Sequence, residues 1–335
     1  MFFTLTMEIN MNCLPRSRLW SALLAALPTA ALAQGAAYPN KPVRLIVAFS
    51  PGGLIDSTGR MVGQALTERL GQPFVVENRT GATGTIAAEL VARAAPDGHT
   101  LFVANPPTNV VAPHMYAKIG YDPLKDFSAV VRMVHNPLLL VVHPSLPVKS
   151  VNELFALAKA RPAQLNFATG GIGSTPHLSM ELFKKMARID TVAIHYKGEG
   201  SALVEAIGGH VHFLAASISV LLPYARSGKL RGIAVSTTRR STLAPDFPTI
   251  AESGLRGFDT NTWSGIVAPA ATPREIILRL NTEIVLWLSQ PNTRAQLLKM
   301  GLETVADTPE QFSLFLRDEY AKWGSVVKDL NLRAE

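Results

Sequence analysis

The sequence predicts an α/β protein of two lobes with a cleft between them, on three observations. Apolar, β-branched runs alternate with segments of helical periodicity, which is the pattern of a mostly parallel sheet covered by helices. That series stops at a proline-punctuated stretch near Pro144 and Pro147 and then starts again. Two glycine-rich turns, one in each half, directly follow buried strands.

The elements read in order. Strand Val43 to Phe49 leads to a helix near Asp56 to Leu70, followed by strand Phe74 to Glu77, helix Thr85 to Ala95 and strand Thr100 to Ala104. The strands are almost continuously apolar, as burial on both faces requires. Leu138 to His143 is a further strand, after which Ser150-Val151-Asn152-Glu153 opens a helix as a capping box. The second series follows: strand Asn166 to Ala168, a helix after Pro176, strand Val192 to His195, a helix from about Gly200 to Gly208, and strands Val211 to Leu214, Gly232 to Val235 and Ser264 to Ala268. Thr272-Pro273-Arg274-Glu275 and Thr308-Pro309-Glu310-Gln311 each begin a helix, with threonine as cap and proline in the first helical position.

The first residues set the compartment. Arg16 and Arg18 precede an apolar run from Leu19 to Leu32 that ends in Ala31-Leu32-Ala33, the order of a secretory signal peptide over residues 1–33. Pro28 interrupts that run, and a membrane span needs about 20 apolar residues. Met11 offers an alternative start. Cleavage after Ala33 removes Cys13, the single cysteine, and leaves 30 basic and 24 acidic residues, a net charge of +6. The expected product is a soluble, thiol-free periplasmic monomer. Its Lys and Arg residues are scattered in runs of no more than two without interleaved aromatics, so nucleic acid is not an expected partner. The charge is read as a field that favours anions.

The turns carry the binding chemistry. Phe49-Ser50-Pro51-Gly52-Gly53-Leu54-Ile55-Asp56 places glycines before a helix N-terminus, where backbone N–H groups and the helix dipole favour an anion. Thr169-Gly170-Gly171-Ile172-Gly173-Ser174-Thr175-Pro176-His177 repeats this in the second half and adds hydroxyls. Neither matches a dinucleotide or P-loop fingerprint. A hydrolase using Ser174 and His177 would require an orienting carboxylate and an oxyanion hole, and the sequence identifies neither. No catalytic residue, metal or cofactor is assigned.

Further motifs run through the chain: Gly71-Gln72-Pro73, Val76-Glu77-Asn78-Arg79, Ala95-Pro96-Asp97-Gly98, Gly173-Ser174-Thr175-Pro176-His177, Tyr196-Lys197-Gly198, Gly228-Lys229-Leu230-Arg231 and Glu252-Ser253-Gly254. With the Phe49 to Asp56 turn, they resemble the Bug family, the periplasmic solute receptors of tripartite tricarboxylate transporters, over about residues 38–330. The resemblance implies a type II periplasmic-binding-protein fold, with lobe 1 from 38–142 plus 267–335 and lobe 2 from 143–266. The chain would cross near Leu140 to Pro144 and return near Trp263 to Val267. It further implies capture of a small organic carboxylate and delivery to membrane permease subunits. An exported sensor for a membrane signalling protein shares these features and stands as the alternative.

By position, the resemblance places Phe49, Ser50, Gly52, Gly53, Asn105 and Thr108 on one side of the cleft. Thr169, Gly173, Ser174, Thr175 and His177 stand on the other, with Ala216 and Ser217 nearby. Many members of the family carry an aspartate after the strand equivalent to Val211 to Leu214. Here the segment reads Ala215-Ala216-Ser217-Ile218. On that ground a dicarboxylate or aromatic carboxylate is expected in preference to an amino acid.

Overall fold

The computed structural model describes residues 38–334; the expected signal peptide lies outside them. The α/β class is as expected. In the first lobe, β1 (Val43–Val47), β2 (Phe74–Asn78) and β3 (Thr100–Ala104) are parallel, joined through α1 (Leu54–Leu70) and α2 (Thr85–Ala92). A π-helical turn, Pro107–Val111, and the short α3 (Ala112–Met115) follow β3.

The next strand, β4 (Phe127–Val142), is 16 residues long and belongs to both sheets. Phe127 to Pro137 pair with β9 (Asn261–Pro269), whereas Leu138 to Val142 pair with β7 (Phe213–Ser217) on one side. On the other side they meet β8 (Arg231–Val235). The partners change between Pro137 and Leu138, a few residues before the expected crossing. The early half of β4 was not foreseen, because Arg132, His135 and Asn136 break its apolar run.

The second lobe contains α4 (Val151–Ala160), β5 (Asn166–Thr169), α5 (Thr175–Ala187), β6 (Val192–His195), α6 (Glu199–Ile207) and, after β7, α7 (Ile218–Arg226). After β9 the chain forms α8 (Arg274–Ser289), α9 (Pro291–Lys299), the two-residue β10 (Glu303–Thr304) and α10 (Pro309–Asp329). The strand order is β2-β1-β3-β9-β4 and then β4-β7-β5-β6, with β8 on the free side of β4. Thus β1 lies between β2 and β3, and β5 lies between β6 and β7. In each lobe the connections leave the first strand in opposite directions, which creates a crevice at the carboxyl ends of the strands.

Burial follows strand alternation. Leu45, Val47 and Val103 face α1 and α8, whereas Ile46, Phe102 and Ala104 share a cluster with Phe312 and Trp323 of α10. In the other sheet Leu140, Val142, Phe167 and Phe213 pack with Phe183, and Leu139, Val141, Ala168 and Leu214 pack with Leu203 and Leu221. Each fully buried aliphatic or aromatic side chain contributes about 1.5–3 kcal/mol. The result is a rigid frame on each side of the crevice. Trp263 is core packing, edge-on to Phe312, with its indole N–H donated to Glu319.

Of the three expected caps, one forms as expected and two differ. Thr308 accepts from the Gln311 N–H, and the Gln311 side chain returns to the Thr308 N–H. Ser150 accepts from the Glu153 N–H, but the Glu153 carboxylate reaches the Lys149 amide. At α8 the helix begins one residue later than expected. Pro273 occupies the cap position and the buried Thr272 hydroxyl has no partner among the described residues.

Candidate functional site

The first turn is organised by Asp56, which is buried in the first turn of α1. Its carboxylate accepts the Gly52 N–H at 2.9 Å, the Arg60 Nε at 2.9 Å and the Asn78 Nδ2 at 2.8 Å. The same Asn78 amide donates to the Phe49 carbonyl. Burial alone would raise the Asp56 pKa, yet these donors hold it at about 2. Gly52, at φ +89°, must curl back to make its bond, so a residue without Cβ is favoured. This corrects the expectation for Gly52: its N–H points to Asp56. Gly53, at the N-cap of α1, begins the run of amides that a helix N-terminus leaves without intrahelical acceptors. Phe49 is half-buried and Ser50 is exposed at the start of this turn.

Asn105 and Thr108, expected to line the cleft, are fully buried braces. The Asn105 side chain accepts the Thr108 N–H and donates to Val103 O, while its own amide donates to the Asn109 side chain. The Thr108 hydroxyl donates to Thr83 O, and Tyr121 donates to Thr108 O. Gly84 permits this approach. At its φ of +87°, a Cβ would lie 2.3 Å from Thr108 Oγ1 and 2.7 Å from Ala48 Cβ. Gly84→Ala is therefore expected to cost roughly 2–5 kcal/mol, combining left-handed strain with overpacking. A urea denaturation curve checks it, and a loss below about 1 kcal/mol would show that the brace is soft.

The second turn is braced in the same manner. Thr169 is fully buried, with its hydroxyl 2.8 Å from His195 Nδ1 and accepting the Gly171 N–H. Ser174 caps α5, accepting the His177 N–H while donating its hydroxyl to Gly171 O. The Gly173 N–H donates to His177 Nδ1 at 3.1 Å. That bond gives His177 the tautomer with its proton on Nε2. Burial, with His195 and Lys184 adding repulsion, lowers its pKa to about 4. His177 is a neutral acceptor that shapes the loop. Because the Ser174 hydroxyl and the His177 ring address different backbone groups, they do not form a nucleophile–base pair.

The structure brings both turns to carboxyl ends of parallel strands. Gly173 approaches Met115 of the first lobe, its Cβ position lying 3.4 Å from the methionine methyl. Thr175 is buried at the start of α5, and Ile172 is exposed at the tip of the turn. Ala216, placed beside the ligand by resemblance, is instead fully buried in the core with Leu139 and Val141. Ser217 is half-buried at the carboxyl end of β7. A separate groove of about 370 Å³ lies between α5 and α10, but its Lys184 and Lys185 are already paired with Glu181 and Asp329.

Three residues that bond to the turns or to the end of β7 were given no role by the sequence. Asp56 and Asn78 stood in the quoted motifs without a role, although an aspartate four residues after Gly52 can accept that glycine's N–H. The third is Glu199. Its carboxylate accepts the Ser217 hydroxyl at 3.2 Å and the Ser217 N–H at 3.4 Å. A carboxylate therefore does stand beside segment 215–218, at the carboxyl end of β7, delivered from α6.

Residues 58–332 match the model of the tripartite tricarboxylate transporter family receptor, TctC. The chain belongs to this family. Protein BugT of Bordetella pertussis is 36% identical over 293 residues, 87% of this chain and 90% of that protein. A Pseudomonas sp. (strain P51) protein from the tcbD-tcbE intergenic region is 32% identical over 299 residues, 89% of both. Among solved structures, R. palustris Rpa4515 with adipate has a TM-score of 0.71 at 35% identity, covering 88% of this chain and 99% of that one. MatC from Rhodopseudomonas palustris with bound malate has a TM-score of 0.68 at 32% identity, covering 87% and 100%. A ligand-free TctC solute-binding protein from Polaromonas reaches 0.80 at 25% identity, covering 87% and 99%. This TctC receptor accordingly has the two-lobe periplasmic-binding fold and belongs to a family of solute-binding receptors. Among the described residues, no helix is long and apolar enough to cross a membrane.

Proposed function

We propose that this receptor is exported to the periplasm, where it captures a small organic carboxylate between its lobes and delivers it to the permease subunits of a tripartite tricarboxylate transporter. The lobes divide near Pro137–Leu138, where β4 changes partners, and just before Asn261, where β9 begins, a few residues ahead of the expected boundaries at 142 and 267. The observation that carries the reading is the pairing of two internally braced turns, one at each strand-order crevice, with helix α1 or α5 starting directly behind each. Amides at those helix starts favour an anion, and a hydrogen bond to an ionised group contributes about 1.5–3 kcal/mol. Three or four such bonds approach the roughly −8 kcal/mol of micromolar affinity once ordering costs are included.

Diacids come first, because adipate and malate occupy two of the similar proteins; aromatic carboxylates follow. The greater likeness to a ligand-free structure, at lower sequence identity, fits a pair of lobes that closes on its ligand. Delivery to a permease is the step that the family's name supplies. A thermal-shift screen against mono-, di- and tricarboxylates tests capture. A true ligand at a hundredfold excess over Kd adds about 2.7 kcal/mol to stability, and a panel that moves nothing would overturn the reading. Loss of uptake of that ligand on deletion of the receptor tests delivery.

A further inference from the structure

We propose that Glu199 is a specificity residue that selects ligands carrying a hydroxyl or ammonium donor on the carbon next to a carboxylate. This deepens the carboxylate-capture reading and rests on it.

Position is the first support. Glu199 opens α6 two residues after Lys197, and its chain lies directly against the second glycine turn. A Cβ on Gly170 would sit 2.9 Å from the Glu199 nitrogen and 3.3 Å from its Cγ. Gly198 also donates its N–H to Gly170 O. With Ser217 bonded to the carboxylate, Glu199 joins the carboxyl ends of β5, β6 and β7 at one place, beside the crevice of the second lobe.

Unfilled acceptor capacity is the second. Two carboxylate oxygens offer about four lone-pair sites. Among the described residues Ser217 supplies two donors, both at long distance, and no cationic side chain contributes to its titration. Burial pushes its pKa up accordingly. Asp56, the corresponding buried carboxylate of the first turn, has three close donors including Arg60. The two turns are thus unequal: one carboxylate has three close donors from its own lobe and the other has two long ones. Glu199 is half-buried, and a partly desolvated acceptor with unfilled sites is stabilised by a ligand that brings a donor, while its charge repels a ligand carboxylate placed against it. Ligand carboxylates are directed to the helix-start amides, and the neighbouring hydroxyl or ammonium to Glu199.

Matched probes test this by calorimetric titration: succinate, malate and aspartate, with phenylacetate and mandelate as the aromatic pair. The intact receptor is expected to bind a donor-bearing member at least tenfold more tightly than its unsubstituted partner. Glu199→Ala should reduce that ratio to near one while melting as a folded protein. Glu199→Gln distinguishes the two donors, since it retains a neutral acceptor for a hydroxyl but removes the charge that favours an ammonium. Equal binding within the pairs, or a preference that survives Glu199→Ala, overturns the role of Glu199 and leaves carboxylate capture intact. If no carboxylate binds the intact receptor, both readings fall.

Discussion

Replacing Asp56 with alanine is expected to reduce ligand affinity at least a hundredfold and to cost roughly 2–6 kcal/mol of stability, because two part-buried donors, the Gly52 N–H and Asn78 Nδ2, lose their acceptor at roughly 1–3 kcal/mol each. The carboxylate gathers donors from three parts of the chain: Gly52 in the turn, Arg60 one helical turn later, and Asn78 at the end of β2. Removing it leaves these groups without their acceptor. Asn78 also holds Phe49 O, so both edges of the turn loosen together. In the proposed site the affinity loss follows because the turn that leads into the α1 amides is braced by Asp56 and Asn78. Asp56→Asn keeps the shape and one acceptor, so its stability loss should be smaller. Urea denaturation and calorimetric titration of both variants check the result; an Asp56→Ala receptor that binds as tightly as the parent would sink it.

This organising role explains how much of the site was legible in sequence. The turns were visible because glycine, proline and hydroxyl residues cluster directly after apolar strands. What could not be read was where each N–H points. Gly52 and Gly173 look like ligand donors in a one-dimensional pattern, but in space they donate to Asp56 and His177. Asn105, Thr108 and Thr169 are polar residues at strand ends, an ordinary signature of a cleft, yet all three are sealed beneath it. Their polarity serves the backbone of the turns.

The fold was more legible than the site because strand burial on both faces imposes a local apolar run, whereas binding geometry depends on distant segments. Segment 215–218 shows the limit. Read alone it lacks a carboxylate, and that absence supported a preference against amino acids. Glu199 removes the ground for that preference, and its proximity to Ser217 depends on the β5–β7 pairing that sets β6 and β7 on either side of β5. Similarly, β4 was legible only where its residues are uniformly apolar. Its first half carries Arg132 to Asp307 and His135 to Glu303, polar bonds that tie the strand to the C-terminal segment.

Glu303 makes the stability of the whole receptor acid-sensitive. It lies on β10 and accepts from His135 of β4 and from Ser241 and Thr242 in the loop after β8, so it joins the C-terminal segment to a loop of the other sheet. Although burial would raise its pKa, these partners hold it at about 2, below the ordinary 4.5. A depressed pKa means that the folded state favours the charged form. The associated stability is complete above about pH 4.5 and is lost as pH falls towards 2, amounting to roughly 3 kcal/mol at 1.36 kcal/mol for each pH unit. Asp56 adds roughly 2 kcal/mol over a slightly lower window, from its ordinary 3.8 to about 2. The two carboxylates share no hydrogen-bond partner among the described residues, so their effects should add to roughly 5 kcal/mol. Glu303→Gln cannot ionise and isolates one share. Its stability deficit at pH 7 should shrink by roughly 3 kcal/mol when both proteins are compared at pH 2, because the parent then carries a protonated Glu303 as well. Urea denaturation midpoints measured from pH 7 down to pH 2 give the test. A deficit that stays constant across that range would mean that Glu303 contributes through its shape and hydrogen bonds rather than through its charge.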